Sequence, residues 1–225
     1  MKKKLILTML SIVLLLTMGV MSTLAFLTDR DKVVNVFTVG DVQITLDEAK
    51  VTPDGKPVDP EERVQENEYH LLPGLSYTKD PTLTVLKNSE KSYIRIMVTI
   101  VGIDKLQAAL GQDFLPETVV TGWDNTLWPC VGIVDNGLDA DENRSYTYEF
   151  RYAQIVDTMD HNDLELKPLF TSFTVPGKLT GEQMQTLKNV QIIVEGHAIQ
   201  ANPFTSADEA WAAFTEQYKS QQGNG

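Results

Sequence analysis

Cysteine and histidine are scarce in this chain of 225 residues, and their scarcity excludes several kinds of site. Cys130 is the only cysteine, so neither an intramolecular disulfide nor a cysteine-based metal cluster can form. We expect its side chain to behave as a small, buried apolar group. The three histidines, His70, His161 and His197, are scattered, and no H-E-x-x-H helix is present to hold zinc. His197 lies in a strand pattern, where we expect a solvent-facing or hydrogen-bonded imidazole.

Basic residues are in the minority, which bears on possible partners. The net charge is −12, and because positions 1–25 carry three lysines and no acid, the remainder of the chain carries −15. Such an acidic body repels nucleic acid, so no nucleic-acid partner is expected. Hydrophobic residues make up 42% of the chain, enough for a sizeable core, and the length suits one domain. No G-x-S-x-G nucleophile motif is present, and the sequence predicts neither a catalytic residue nor a cofactor.

One acidic stretch, Asp135 to Glu142, invites comparison with a calcium loop. In a loop that begins at Asp139, however, Arg144 occupies the position of the required glycine. Phe150 occupies the position of the glutamate that would bind calcium through both oxygens. We therefore predict a solvated hairpin loop and no metal site.

The first 25 residues have the features of a signal peptide. Lys2, Lys3 and Lys4 form a positive n-region, and an apolar stretch follows from Leu5 to Val20. Small residues then lead up to Ala25, so we predict cleavage between Ala25 and Phe26 and a product that is secreted or held at the cell surface. A retained membrane anchor is the alternative, because the uncharged stretch is long enough to span a bilayer.

Alternating and β-branched segments predict a mainly β fold for residues 26–225, an antiparallel β-sandwich forming a single domain. Val42, Ile44 and Leu46 alternate with polar residues, as in a half-buried strand. Tyr93 to Val101 is almost continuously apolar, as in a central strand. Further strands are predicted at Tyr146 to Tyr152, which places four aromatic residues on one face, at Leu169 to Val175 and at Val190 to Gln200. Turns or loops are predicted at four pairs: Asp54-Gly55, Pro73-Gly74, Asn136-Gly137 and Pro176-Gly177.

Few helices are predicted. A C-terminal helix is expected over residues 206–219, because Ser206 and Glu209 have the spacing of a capping box. An apolar stripe follows at helical spacing, and we expect it to dock on the protein's own domain; it comprises Ala207, Ala210, Trp211, Phe214 and Tyr218. Asp104 to Leu110 and Thr180 to Leu187 are shorter helical candidates.

Several blocks of the sequence resemble one family of exported proteins. Thr23 to Asp29 (TLAFLTD), followed by Asn35 to Gly40 (NVFTVG), is similar to the start of the TasA/camelysin family of Gram-positive surface proteins. The resemblance continues at Leu72-Pro73-Gly74 with Thr78-Lys79-Asp80, and at Val190 to Gln200. Residues 102–181 have no counterpart in it, so the resemblance covers the first half of the chain and one late strand.

The resemblance implies a jelly-roll-like sandwich, processing by a SipW-type signal peptidase, and assembly into biofilm-matrix fibres. In such fibres the freed N-terminal segment of one subunit inserts as a strand into the next, so the main partners are other copies of this chain. A co-assembling matrix protein remains open. The implied donor segment is residues 26–39, with inserted side chains Phe26, Leu27, Val33, Val34, Val36, Phe37 and Val39. Strand insertion is physically sound, because an open sheet edge offers unpaired backbone groups.

Three alternatives stand beside this interpretation. Val33 to Leu46 would form the first strand of the protein's own sandwich if no exchange occurs. A monomeric surface adhesin would use aromatic residues such as Trp123 and Trp128 to contact a ligand, although tryptophans that plug one end of the sandwich are expected more often. A camelysin-like metalloendopeptidase is the third alternative, but the sequence has no pair of closely spaced metal ligands with a general base.

Overall fold

The computed structural model describes residues 28–31, 42–111, 116–159, 161–188 and 190–222. The predicted signal peptide (1–25) and the predicted donor side chains Phe26, Leu27, Val33, Val34, Val36, Phe37 and Val39 lie outside the described residues. Among the described residues, no helix combines the length and the apolar character that crossing a bilayer requires.

The fold is mainly β, with three antiparallel sheets in the described part of the chain. The strands are β1 Thr28–Asp31, β2 Ile44–Ala49, β3 Arg63–Val64, β4 Ser76–Thr78, β5 Thr82–Val85, β6 Ser92–Val101, β7 Val120–Thr121, β8 Cys130–Leu138, β9 Arg144–Arg151, β10 Leu164–Glu165, β11 Ser172–Thr174 and β12 Gln191–Gln200. The helices are α1 Ile103–Leu110, α2 Gly181–Thr186 and α3 Ala207–Gln222, with a 3₁₀ turn at Pro116–Thr118. The sheet orders are β1-β12-β6-β9-β8, β10-β5-β2-β3 and β4-β11-β7.

The five-stranded and four-stranded sheets contribute to one hydrophobic core. Val42, Ile44 and Leu46 are buried, whereas the residues between them are exposed or half-buried, which confirms the predicted alternation. Strand β6 lies between β12 and β9, as its continuous apolar sequence predicts, and buries Ile94 and Ile96 against the same core. Because successive side chains of a strand point to opposite faces, these alternating residues form one apolar surface per sheet.

The aromatic residues of β9 and the neighbouring loop close this core. Tyr148 is buried, and Tyr146, Phe150 and Tyr152 pack against the core, as the pattern predicts. Trp128 is fully buried, and its indole N–H donates to the carbonyl oxygen of Lys167 at 2.9 Å. The half-buried Trp123 donates its indole N–H to the carbonyl oxygen of Trp128 at 2.8 Å. Both tryptophans therefore plug one part of the core.

Helix α3 packs on the outer face of the five-stranded sheet. The hydroxyl of Ser206 accepts a hydrogen bond from the backbone N–H of Glu209 at 3.2 Å, which is half of the predicted capping box. The Glu209 carboxylate accepts from the backbone N–H of Thr205 at 2.9 Å instead of from Ser206. Trp211 and Phe214 are buried against Ile199 of β12. Four members of the predicted stripe, Ala207, Ala210, Trp211 and Phe214, thus dock on the protein's own domain, as predicted. The side chain of the fifth, Tyr218, lies outside the described part of the structure.

Three sequence predictions need correction around β8 and β11. Cys130 is exposed, not buried, because it begins a strand that has a neighbouring strand on one side only in the described part of the chain. The pair Asn136-Gly137 does not form a turn; it lies inside β8 at a β-bulge, where Gly137 has a φ of 79°. The hairpin loop is consequently shorter than predicted and follows Leu138. Strand β11 covers only Ser172–Thr174 of the predicted Leu169 to Val175.

Candidate assembly interface

Strand β1 lies at one edge of the five-stranded sheet and belongs to the segment predicted to be donated. Its residues pair antiparallel with β12, from Thr28 opposite Ile199 to Asp31 opposite Gly196. In the sequence this strand begins two residues after the predicted cleavage position between Ala25 and Phe26. A peptide segment that signal-peptide removal would free is therefore joined to the sheet by a short edge pairing.

Strand β12 is longer than the partner that covers it. All ten of its residues pair with β6 on one side. On the other side, the described part of the chain provides partners only for Gly196 to Ile199. Residues 191–195 thus extend beyond β1, and two of them, Ile192 and Ile193, are large hydrophobic residues with exposed side chains. A longer strand added at this edge would cover them.

Gly196 brings the two main sheets close together beneath this edge. A Cβ atom at this position would lie 2.9 Å from a methyl group of Leu83 and 3.6 Å from the Cβ of Leu46. Since Cβ contacts below 3.0 Å are essentially never seen in folded proteins, any other residue would require the Leu83 methyl group, the end of a flexible side chain, to move. The glycine therefore lets β12 lie against the facing sheet at the point where Asp31 pairs with it.

The outer face of β12 is fixed by a buried polar and aromatic cluster. Arg95 of β6 donates from Nε to Nδ1 of the buried His197 at 3.0 Å. The Arg95 guanidinium lies 4.2 Å from the ring centre of Trp211 and 4.9 Å from that of Phe214. The imidazole of His197 stacks on Phe214 at 5.0 Å. Helix α3 thereby packs against β12 on this face of the sheet.

The opposite edge of the same sheet is strand β8. Among the described residues it pairs only with β9, and four of its large hydrophobic side chains are exposed; they are Val131, Ile133, Val134 and Leu138. Two irregularities of register interrupt it, and Arg144 forms an ion pair with Asp135 beside the second. The hydrogen bonds from Arg144 hold the pKa of Asp135 below its usual value. Bulges and charges of this kind are devices that limit pairing between sheet edges.

The remaining candidate residues do not form a site. His70 and His161 are exposed, and His197 is buried in the cluster described above. Among the described residues, no group of three or more His, Cys, Asp or Glu side chains is placed to hold a metal ion. The Asp139 carboxylate accepts from the backbone N–H of Asp141 at 2.9 Å and of Asn143 at 2.8 Å, which closes the hairpin loop. The bond from Asn143 lowers the pKa of Asp139.

A buried polar cluster near the four-stranded sheet was not predicted from the sequence. Lys79 and Glu48 are both buried, with Lys79 Nζ 2.5 Å from Glu48 Oε2. Asn67 donates from Nδ2 to Glu48 Oε1 at 2.8 Å and to the carbonyl oxygen of Ala49 at 2.9 Å. A signal was present, since Glu48 continues the buried alternation of Ile44 and Leu46 where an apolar residue is expected.

Comparison with known proteins adds no relative to this description. No protein-family model, curated protein or solved structure matches the chain. The family resemblance therefore rests on the sequence motifs, and the functional argument rests on the sheet edge formed by β1 and β12.

Proposed function

We propose that the mature protein is a structural subunit of an extracellular biofilm-matrix fibre, with a jelly-roll-like sandwich fold and no enzymatic activity. Subunits join when residues 26–39 of one copy are donated as a strand to the next copy. The observation that carries this proposal is the pairing of Thr28–Asp31 with the edge of β12. It supports the proposal because the segment next to the predicted cleavage position already has affinity for a sheet edge.

Strand exchange is possible because β1 can pair with β12 of its own chain or with β12 of another copy. The four residue pairs of β1 with β12 can form within one chain or between two copies with the same register. A donated strand that keeps this register would place Val33 opposite Val194 and Val34 opposite Ile193. The added pairs would cover the exposed part of β12, and because they can form in either arrangement, a high concentration of copies favours exchange.

Export and cleavage act as the switch for assembly. While Ala25 remains joined to a segment held in the membrane, the donor is not free to reach a neighbouring copy. After cleavage, each subunit has one donor segment, residues 26–39, and one acceptor edge, that of β12. Head-to-tail contacts of this kind do not close, so they build filaments.

The tryptophans give no support to a monomeric adhesin. A ligand-binding surface would present Trp123 and Trp128, whereas Trp128 is fully buried and both indole N–H groups donate to backbone carbonyl oxygens. Among the described aromatic residues, those of β9 also face the core. The sheet edge therefore supports assembly better than the tryptophans support ligand binding.

The direct test compares two purified proteins, one beginning at Phe26 and one beginning at Gly40. Both are incubated at high concentration and followed by electron microscopy and size-exclusion chromatography. We expect filaments from the first and monomers from the second. Monomers from both, with folding verified by circular dichroism, would contradict self-assembly by strand donation.

A matched pair of variants tests the backbone pairing itself. In an antiparallel edge strand, alternate residues direct their N–H groups to the partner, so two adjacent prolines remove at least one of them. We expect Asp29→Pro with Arg30→Pro to prevent filament formation, and Asp29→Thr with Arg30→Thr to permit it. Filaments of equal length from both variants would show that this pairing is not used in assembly.

A further inference from the structure

The buried cluster around Lys79 contains the groups that an intramolecular amide-forming reaction requires. The amine of Lys79 and the side-chain amide of Asn67 bind the two oxygens of one carboxylate, that of Glu48, at 2.5 and 2.8 Å. The carboxylate therefore holds the two side chains next to each other. Lys79 and Glu48 are buried, while Asn67 is half-buried.

The surroundings suit a lysine that acts as a nucleophile. Proton transfer within the ion pair, from Nζ to Glu48, leaves a neutral amine next to the amide. Tyr69 lies beside it, with its ring centre 5.9 Å from Nζ, and donates its hydroxyl to the carbonyl oxygen of Thr78 at 3.0 Å. Burial, together with the nearby charges of Glu48 and Asp80, raises the pKa of Tyr69 well above its ordinary value. The phenol thus stays neutral and does not compete for the proton.

The amide of Asn67 is held by hydrogen bonds at both of its polar atoms. Its Oδ1 accepts a hydrogen bond from the backbone N–H of Val51 at 2.9 Å, which is placed to stabilise negative charge as it develops on that oxygen. Its Nδ2 donates to Glu48 and to the carbonyl oxygen of Ala49, so the leaving nitrogen faces the proton carrier. The two atoms of the amide are distinguished by these contacts, and each faces the partner that its role requires.

We propose that Lys79 and Asn67 become joined by an isopeptide bond, with Glu48 as the proton carrier. The Nζ–Cγ bond forms and the Cγ–Nδ2 bond of Asn67 breaks. The Lys79 ammonium gives up two protons, both of which pass through the Glu48 carboxylate to the leaving nitrogen. That nitrogen departs as ammonium, and Glu48 ends ionised as it began, so atoms and charge balance without an oxidant or a co-reactant.

Such a bond would stabilise the fold as an internal disulfide does, in a chain whose single cysteine cannot form one. It would join Asn67, which lies between β3 and β4, to Lys79, the residue that follows β4. Cross-links of this kind restrict the unfolded chain, and the segment between Asn67 and Lys79 would be protected from proteolysis. The inference is independent of fibre formation, because a monomer would carry the same bond.

Mass spectrometry of the exported, cleaved wild-type protein provides the test. Loss of one ammonia lowers the intact mass by about 17 Da relative to the sequence. We expect that loss, no tryptic cleavage after Lys79, and a branched peptide containing both Lys79 and Asn67. An intact mass equal to that of the sequence, in protein shown to be folded, would overturn the proposal. The same holds for a mass loss confined to Asn67 with Lys79 cleaved normally, which indicates a succinimide.

Variants assign the roles and provide a matched control. We expect Lys79→Met, Asn67→Ala and Glu48→Gln to show the unmodified mass. Lys50→Met removes an exposed lysine that also pairs with a glutamate, Glu62, and should retain the mass loss. A full mass loss in folded Glu48→Gln would contradict the assigned proton carrier. Because the wild-type measurement decides the presence of the bond, the test does not depend on any variant folding.

Discussion

At the residue scale, Trp128 shows how one side chain can satisfy both packing and hydrogen bonding. It is fully buried, its ring centre lies 4.9 Å from that of Tyr152, and its indole N–H has a carbonyl partner. We expect Trp128→Ala to lower the free energy of unfolding by about 3–5 kcal/mol, because it creates a large cavity. Urea unfolding measures this. Leu138→Ala, at an exposed position, is the control and should change stability by less than about 0.5 kcal/mol.

Glu209 gives a residue-scale prediction on pH. In the folded protein, the hydrogen bond from the backbone N–H of Thr205 lowers the pKa of Glu209 below its ordinary value of 4.5. A lowered pKa means that the folded state favours the ionised form. The stabilisation is therefore present above pH 4.5 and is lost as the pH falls through the lowered value. We expect Glu209→Gln to flatten the acid side of the thermal-stability profile compared with wild type, measured by circular dichroism. Parallel profiles would contradict the assignment.

The sequence predicts residues well where one simple rule applies. Val42, Ile44 and Leu46 are buried as their alternation requires. Cys130 fails because burial depends on whether another strand covers β8, and that is a property of the topology rather than of the residue. Glu48 shows the opposite outcome for a similar reason, since this charged residue is buried because it pairs with Lys79, which is distant in sequence. Local patterns contain no information on such partners.

At the scale of elements, α3 and β12 stabilise each other. Arg95 lies between the sheet and the helix, with its guanidinium over Trp211 and its Nε bound to His197. We expect Trp211→Ala to destabilise the protein by about 3–5 kcal/mol and to increase amide exchange in β12. Ala212→Ser changes an exposed neighbour on the same helix and should do neither. Equal exchange of β12 in both variants would show that the helix does not support the strand.

Strands with continuous or alternating apolar sequence were predictable, and β8 was not. Its sequence combines exposed hydrophobic residues with Asn136-Gly137, a pair that normally forms a hairpin turn. In the structure this pair forms a bulge instead of a turn, because β8 continues to pair with β9 as far as Leu138 opposite Arg144. The choice between turn and bulge was therefore made by pairing with another strand. The pairing of β1 with β12 was also not predictable, because the sequence resemblance implied a donor segment but did not indicate which strand it pairs with.

At the scale of the whole molecule, net charge opposes the approach of two copies of the chain. Without residues 1–25 each subunit carries a net charge of −15, so copies repel one another. Salt screens such repulsion, with a Debye length that falls from about 30 Å at 0.01 M to about 8 Å at 0.15 M. We expect filament growth, followed by light scattering, to be faster at 0.15 M salt than at about 0.01 M. Slower growth on adding salt would indicate that attraction between charges, rather than strand insertion, drives assembly.

The central claim is that residues 26–39 complete a neighbour's sheet at the edge of β12. The most direct measurement adds a synthetic peptide of residues 26–39 to folded protein beginning at Gly40 and follows amide hydrogen exchange. The account predicts a one-to-one complex in which exchange slows along residues 191–199, while a peptide with prolines at positions 29 and 30 has no effect. No slowing of exchange in β12 at saturating peptide would contradict the account.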